Sequence, residues 1–99
     1  MNNRLKDDRQ LKDLVSIGPA MLRDFEKLKV KSVSELSRKT PLLLYEKLSK
    51  MTGVRQDPCV LDTFSAAVAQ ARNPRLPKEQ CQWWYWSRIR KNKTAKGRR

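Results

Sequence analysis

The sequence contains no histidine, only two cysteines and only three glycines among its 99 residues. Cys59 and Cys81 lie far apart and outside any CxxC pair, so the sequence argues against a structural zinc site and favours reduced thiols over a disulfide. It also lacks a glycine-rich phosphate loop, paired carboxylates and a nucleophile–base pattern. We therefore expect neither an enzyme nor a bound cofactor or metal.

Long hydrophobic runs are missing as well. The N-terminal residues include no apolar core of signal-peptide length, and no later run approaches the length of a membrane-spanning helix. We therefore expect a cytoplasmic protein with no membrane partner. Electrostatic docking to a membrane surface is disfavoured because Ile89 is the only apolar anchor in the basic C-terminal region.

Acidic side chains are scarce relative to basic ones. Lys and Arg number 23 against 10 Asp and Glu, which gives a net charge of +13. The last 12 residues hold seven basic residues and no acidic one, so residues 1–87 carry only +6. This balance favours a polyanionic partner, with nucleic acid first. We interpret residues 87–99 as a basic, disordered tail that binds polyanions, the alternative being a solvated tail that only aids solubility.

Apolar residues recur at helical spacing along most of the chain, and nowhere do they alternate as in a strand. Prolines and capping residues indicate where the helices begin. Five helices are predicted, beginning near Asp8, Pro19, Ser32, Pro41 and Pro58. The last of them has the clearest apolar stripe, formed by Val60, Leu61, Phe64, Ala67, Val68 and Ala71. The sequence thus predicts an all-α fold after a flexible N-terminus at residues 1–7.

A tight turn over residues 16–19, the hairpin, separates the first two predicted helices. Gly18 is expected to adopt backbone angles closed to other residues, and Pro19 suits the first position of a helix. Free N–H groups at such a helix start are a natural phosphate site. The alternative is a turn that only joins two core helices or docks a protein partner.

The hairpin segment, with leucines at 11 and 14, Ile17 and Gly18, resembles the helix-hairpin-helix motif. Further matching segments extend the resemblance over about residues 8–86: Leu44-Tyr45-Glu46, Gln56-Asp57-Pro58-Cys59-Val60-Leu61 and Trp83-Trp84-x-Trp86. Together they resemble the small bacterial "pathogenicity locus" family of mitomycin-resistance-like proteins. The resemblance implies a compact five-helix, SAM-like domain over 8–86 that binds DNA without sequence specificity, with a link to DNA-damage or mitomycin resistance.

Two residues depart from the motif. Ser16 stands where the motif usually has its first glycine, and Ala20 stands where many DNA-binding hairpins carry lysine. The backbone N–H groups near Gly18 and the charge of Arg23 remain for a phosphate contact. The candidate DNA-binding residues are therefore Ser16, Gly18, Ala20, Met21, Arg23, Arg88, Arg90, Lys91 and Lys93.

Aromatic residues cluster directly before the basic region, at positions 83–86. They either stack on unpaired bases or pack over the small core, and we favour packing, with Tyr85 the most exposed of the four. Both cysteines are expected to be buried, structural thiols.

Two functions remain open from the sequence. The first is binding of nucleic acid, with DNA favoured over RNA. The second is a protein–protein interaction adaptor of SAM-like fold, because Leu42 and Leu43 beside Tyr45 exceed what one buried helix face needs. Its partner would be another protein or a second copy of this chain.

Overall fold

A computed structural model describes residues 9–97, with side chains described as far as residue 92. Two short 3-10 helices, Leu11–Asp13 and Lys78–Cys81, accompany the α-helices. The five α-helices are α1 Pro19–Lys27, α2 Val33–Ser37, α3 Pro41–Thr52, α4 Pro58–Arg72 and α5 Trp83–Gly97. No strand occurs within residues 9–97, so the predicted all-α, five-helix fold is confirmed. The predicted N-terminus, residues 1–7, lies outside the described residues.

Four of the predicted helix starts are confirmed, each with a proline in the first turn or a capping residue before it. Pro19, Pro41 and Pro58 each occupy the first turn of their helices, where the missing N–H is tolerated. At α2, the Ser32 hydroxyl accepts a hydrogen bond from the Glu35 N–H at 3.0 Å. The Glu35 carboxylate in turn accepts from the N–H of Lys31 at 2.7 Å, one residue before the expected partner.

The central element is α4, against which α2, α3 and α5 pack. Its predicted stripe is buried at Phe64, Ala67, Val68 and Ala71. Phe64 meets Phe25 of α1 with their ring centres 5.7 Å apart. Burial of these apolar side chains in one cluster is what stabilises the short helices, which would be marginal alone.

The first predicted helix is reduced to the 3-10 turn at Leu11–Asp13. The carboxylate of Asp13 accepts the N–H of Gln10 at 2.7 Å and closes the start of this turn. Val15 is exposed, because the chain has already become extended at Leu14. The predicted helix start near Asp8 lies outside the described residues.

The predicted boundary between the folded domain and the tail, at residue 87, does not coincide with the end of a helix, because α5 continues through it. Ser87 is buried, and Arg90 forms an ion pair with Asp62 of α4. The indole N–H of Trp86 also donates to the carbonyl of Gln80 at 2.7 Å. These contacts attach α5 to the fold by polar groups, so a search for apolar periodicity misses it. The expected disordered tail is therefore wrong at least through residue 92.

Two expectations about single side chains were also wrong. Cys59 is exposed rather than buried, while Cys81 is buried as expected. The carboxylate of Asp57, hydrogen-bonded to Cys59, raises the pKa of this exposed thiol. Burial raises the pKa of the Cys81 thiol.

In the aromatic cluster, Tyr85 is half-buried against Trp86, and the exposed members are Trp83 and Trp84.

Candidate functional site

The hairpin has its unusual backbone conformation at Ser16 rather than at glycine. Ser16 has φ +72°, in the left-handed region that favours glycine. Gly18 has φ −105° and ψ −173°, an extended conformation open to any residue. The expectation for Gly18 was therefore wrong. Ser16 takes the special angles at the position where the helix-hairpin-helix motif usually carries its first glycine.

A buried glutamine of α4 holds the backbone directly before the hairpin. Gln70 is 4% exposed, and its side-chain oxygen accepts the N–H of Val15 at 2.8 Å. Its side-chain nitrogen donates to the carbonyl of Val15 at 2.9 Å and to that of Cys81 at 3.4 Å. One amide thus binds both backbone groups of Val15 and links them to the segment that precedes α5. Gln70 was not predicted as a functional residue, although a polar residue on the buried face of an apolar helix is a usable signal.

Two further contacts hold the same region. Arg9 donates from its guanidinium to the carbonyl of Gln70 at 2.9 Å, near the C-terminal end of α4. The hydroxyl of Ser16 lies 3.4 Å from the side-chain oxygen of Gln82, one residue before α5. The hairpin is therefore placed against the junction of α4 and α5.

The N-terminal end of α1 presents backbone donors. Gly18 offers no side-chain cap, and the first turn has no acidic residue. Among the described residues, the N–H groups of Gly18, Ala20 and Met21 have no hydrogen-bond partner. These donors lie at the positive end of the helix dipole. Arg23, one turn further on, is exposed.

Acidic residues moderate this positive end. Asp24, directly after Arg23 in the sequence, is half-buried, and Glu26, three residues after Arg23, is exposed. The structure thus brings together the hairpin residues predicted as a site, but the side-chain charges of Arg23, Asp24 and Glu26 sum to −1. The remaining predicted residues lie on α5.

The basic residues of α5 divide into two groups. Arg88 and Lys91 are exposed, and the guanidinium carbon of Arg88 lies 5.1 Å from the centre of the Trp84 ring. Arg90 instead forms two hydrogen bonds of 2.9 Å with the two carboxylate oxygens of Asp62. The side chain of Lys93 lies outside the described residues.

The pair of Arg90 and Asp62 has a structural role. Asp62 is 1% exposed, and the hydrogen bond with Asp62 raises the pKa of Arg90. A buried carboxylate requires such a partner, because an uncompensated charge in the interior is strongly destabilising. Arg90 is thus engaged in fixing α5 on α4, which separates it from the other predicted phosphate ligands. The sequence analysis did not select Asp62, although it interrupts the apolar stripe of α4.

Comparison with known proteins gives a consistent assignment. The sequence model of the Pathogenicity locus family matches residues 4–92, which include the hairpin and α5 through Asn92. The chain belongs to this family. It is also 37% identical over 89 residues to mitomycin resistance protein McrB of Streptomyces lavendulae, over 90% of this chain and 81% of that protein. No solved structure matches.

In this family member, a second surface lies on α3. Leu42 and Leu43 are 49% and 61% exposed, as expected, whereas Tyr45 is buried and donates from its hydroxyl to the carbonyl of Gln56. An open groove of about 730 Å³ runs between α3, the loop that follows it and Arg90. The two leucines are therefore exposed without the tyrosine, and of the two it is Leu42 that lines the groove.

Two classes of site are not found in the described part of the chain. No group of three or more Cys, Asp and Glu side chains there is suited to hold a metal ion. No helix within residues 9–97 is both long and apolar enough to cross a membrane.

Proposed function

We propose that this family member is a cytoplasmic, non-enzymatic protein that binds nucleic acid, DNA in the first instance, through its backbone and without reading sequence. The observation that carries the proposal is the set of unpartnered N–H groups at the start of α1, in a chain of net charge +13. Gln70 binds the backbone at Val15, directly before the hairpin. The hairpin would then act as a helix-hairpin-helix motif within a SAM-like domain.

The hairpin contact is expected to be modest. A phosphate at the start of α1 would accept from the N–H groups of Ala20 and Gly18, with the dipole adding about 0.3–1 kcal/mol. Because Gln70 already orders the neighbouring backbone, little conformational entropy is lost on binding. Asp24 and Glu26 oppose the charge of Arg23, which limits the affinity.

The exposed cations of α5 would supply the rest of the affinity. Arg88 and Lys91 are exposed, and each phosphate that they neutralise releases counterions. Contacts of this kind position a protein on nucleic acid without reading bases. The resistance link follows from the relative: a mitomycin resistance protein 37% identical to this chain supports a role in tolerance of mitomycin or of DNA damage.

Fluorescence anisotropy with labelled duplex and single-stranded oligonucleotides tests the proposal. We expect binding at about 50 mM salt that weakens steeply by about 200 mM. Absence of binding to every oligonucleotide at about 50 mM salt would contradict it.

The variant Ala20→Glu tests the hairpin directly. A carboxylate in the first turn stabilises α1 through the dipole but repels a phosphate, so thermal stability should rise while affinity falls. Ser34→Glu is the matched control, because it adds the same charge at the equivalent position of α2, whose start is already capped by Ser32. Equal affinity of the two variants would exclude the hairpin as a phosphate site.

The exposed leucines of α3 favour a second candidate, a protein–protein adaptor. Leu42 and Leu43 leave apolar surface in solvent without packing against the described core. Analytical ultracentrifugation would reveal a homodimer that persists at high salt, and Leu43→Lys should dissociate it. A monomeric protein at every salt concentration would exclude a homodimer formed through this surface.

A further inference from the structure

The exposed face of α5 carries an aromatic residue and two cations in a row. Trp84, Arg88 and Lys91 are spaced i, i+4 and i+7, which places them on one side of a helix over about 10 Å of its length. We call these three residues the α5 stripe. Trp84 is 40% exposed, whereas most large apolar side chains of the chain are in the core.

The other sides of α5 are fixed to the fold. Ser87 is buried, Trp86 donates to the carbonyl of Gln80, and Arg90 is paired with Asp62. The α5 stripe therefore faces away from the core on a helix whose rotation is already set. The guanidinium of Arg88, 5.1 Å from the indole centre, also restricts the Trp84 side chain by a cation–π contact.

An exposed indole next to exposed cations matches the chemistry of unpaired nucleotides. Aromatic rings and guanidinium planes both stack on bases that are not already stacked within a duplex, and adjacent cations bind the flanking phosphates. Inside a duplex the base faces are covered by their neighbours, so Trp84 would gain nothing there. Charge alone, by contrast, would favour the duplex, which carries more phosphates per unit length.

We propose that the α5 stripe binds single-stranded nucleic acid, with a base stacked on Trp84 and its neighbouring phosphates bound by Arg88 and Lys91. This inference rests on the proposed function, and it specifies the substrate as a strand with unpaired bases. The hydroxyl of Ser16 in the hairpin lies 3.4 Å from the side-chain oxygen of Gln82, which precedes Trp84 by two residues in the sequence.

The test compares two neighbouring tryptophans. Trp83 is also 40% exposed but lies about 100° around the helix from Trp84, so Trp83→Ala is a matched control for Trp84→Ala. Affinity is measured by anisotropy with a labelled oligothymidine of about 15 nucleotides and with a duplex of equal length. Trp84→Ala should weaken binding to the single strand by about 5- to 150-fold and leave duplex binding unchanged.

Two control variants and two contradicting outcomes complete the experiment. Trp84→Tyr should retain most of the affinity for oligothymidine, and Trp83→Ala should retain nearly all of it. If the wild-type protein binds the duplex and Trp84→Ala leaves the single-strand affinity unchanged, the α5 stripe is excluded while the proposed function stands. If the wild-type protein binds neither oligonucleotide, the proposed function fails together with this inference. The same holds if the tryptophan fluorescence of the wild-type protein changes on addition of anionic vesicles but not on addition of either oligonucleotide.

Discussion

The hairpin and α5 are the two regions proposed to bind phosphate, but they are built from different parts of the chain. The hairpin presents backbone N–H groups and is held by a neutral side chain, the amide of Gln70. By contrast, α5 presents side chains and is held by a charged pair, Arg90 with Asp62. Under the proposed function, the backbone N–H groups of the hairpin would bind phosphate whichever side chains stand at positions 16 and 20. A side-chain site depends on the identity of each residue.

The two regions also differ in what fixes their geometry. Loss of a neutral hydrogen bond costs less than loss of a partner for a buried charge. We therefore expect α5 to be the more sensitive to a single substitution in its support, and the hairpin to be the more robust. Substitutions at Arg90 and Gln70 test this comparison directly, and substitutions at Ser16 and Asp57 are expected to have smaller effects.

The largest effect is expected from Arg90→Met, which leaves the buried carboxylate of Asp62 without its partner. The free energy of unfolding should fall by about 3 kcal/mol, at the lower end for buried pairs because the Arg90 side chain is 31% exposed. Chemical denaturation measures this change. Lys91→Met removes the same charge from an exposed position and should change stability little. Equal stability of the two variants would refute the structural role of the pair.

A smaller effect is expected from Gln70→Met, which keeps the side-chain length but removes the bonds to Val15. The free energy of unfolding should fall by about 2 kcal/mol, because buried polar groups lose their partners. Amide hydrogen exchange should accelerate at Val15 and not in the middle of α5. Gln82→Met, which removes only the contact with Ser16, is the control. Uniform acceleration in both regions would show that they are not held independently.

Ser16→Gly should stabilise the protein by about 0.5–1 kcal/mol. The left-handed conformation at φ +72° disfavours serine, and this gain exceeds the entropy that glycine loses on folding. Lys29, with φ +62° after the end of α1, provides a parallel case away from the hairpin. Thermal unfolding of Ser16→Gly and Lys29→Gly should show a rise in both. A fall for Ser16→Gly alone would mean that its contact with Gln82 outweighs the backbone strain.

The smallest effect is expected at Asp57, the exposed cap of α4. The hydrogen bond from the Cys59 N–H lowers the pKa of this carboxyl below its ordinary 3.8. Its stabilising effect is therefore present above pH 3.8 and is lost as the pH falls through the lowered pKa. The difference in Tm between wild type and Asp57→Ala should shrink in that range. Asp57→Asn keeps a cap that does not titrate, so its Tm difference from Asp57→Ala should persist at low pH.

The helix starts were predictable because their causes are local. Pro41, Pro58 and Ser32 act on backbone groups within one turn, and the structure places α-helices where they indicate. The start of α1 was located correctly, but the special backbone angles were expected at Gly18 and are found at Ser16. Serine itself gives no local sign of a left-handed conformation, and only its place in the motif, where glycine is usual, points to it. The course of α5 was missed because polar contacts, rather than apolar spacing, attach it to the fold.

The sequence by itself determined the helical class, most helix starts, the excess positive charge and the position of the hairpin, because each depends on composition or on neighbours within a few residues. Only the tertiary structure decided that Gln70 holds the backbone at Val15, that Arg90 is engaged with Asp62, and that Trp84 faces solvent beside Arg88. The first two contacts join residues 55 and 28 positions apart along the chain. The packing of the helices brings such partners together, and no pattern among neighbouring residues predicts which of them will pair.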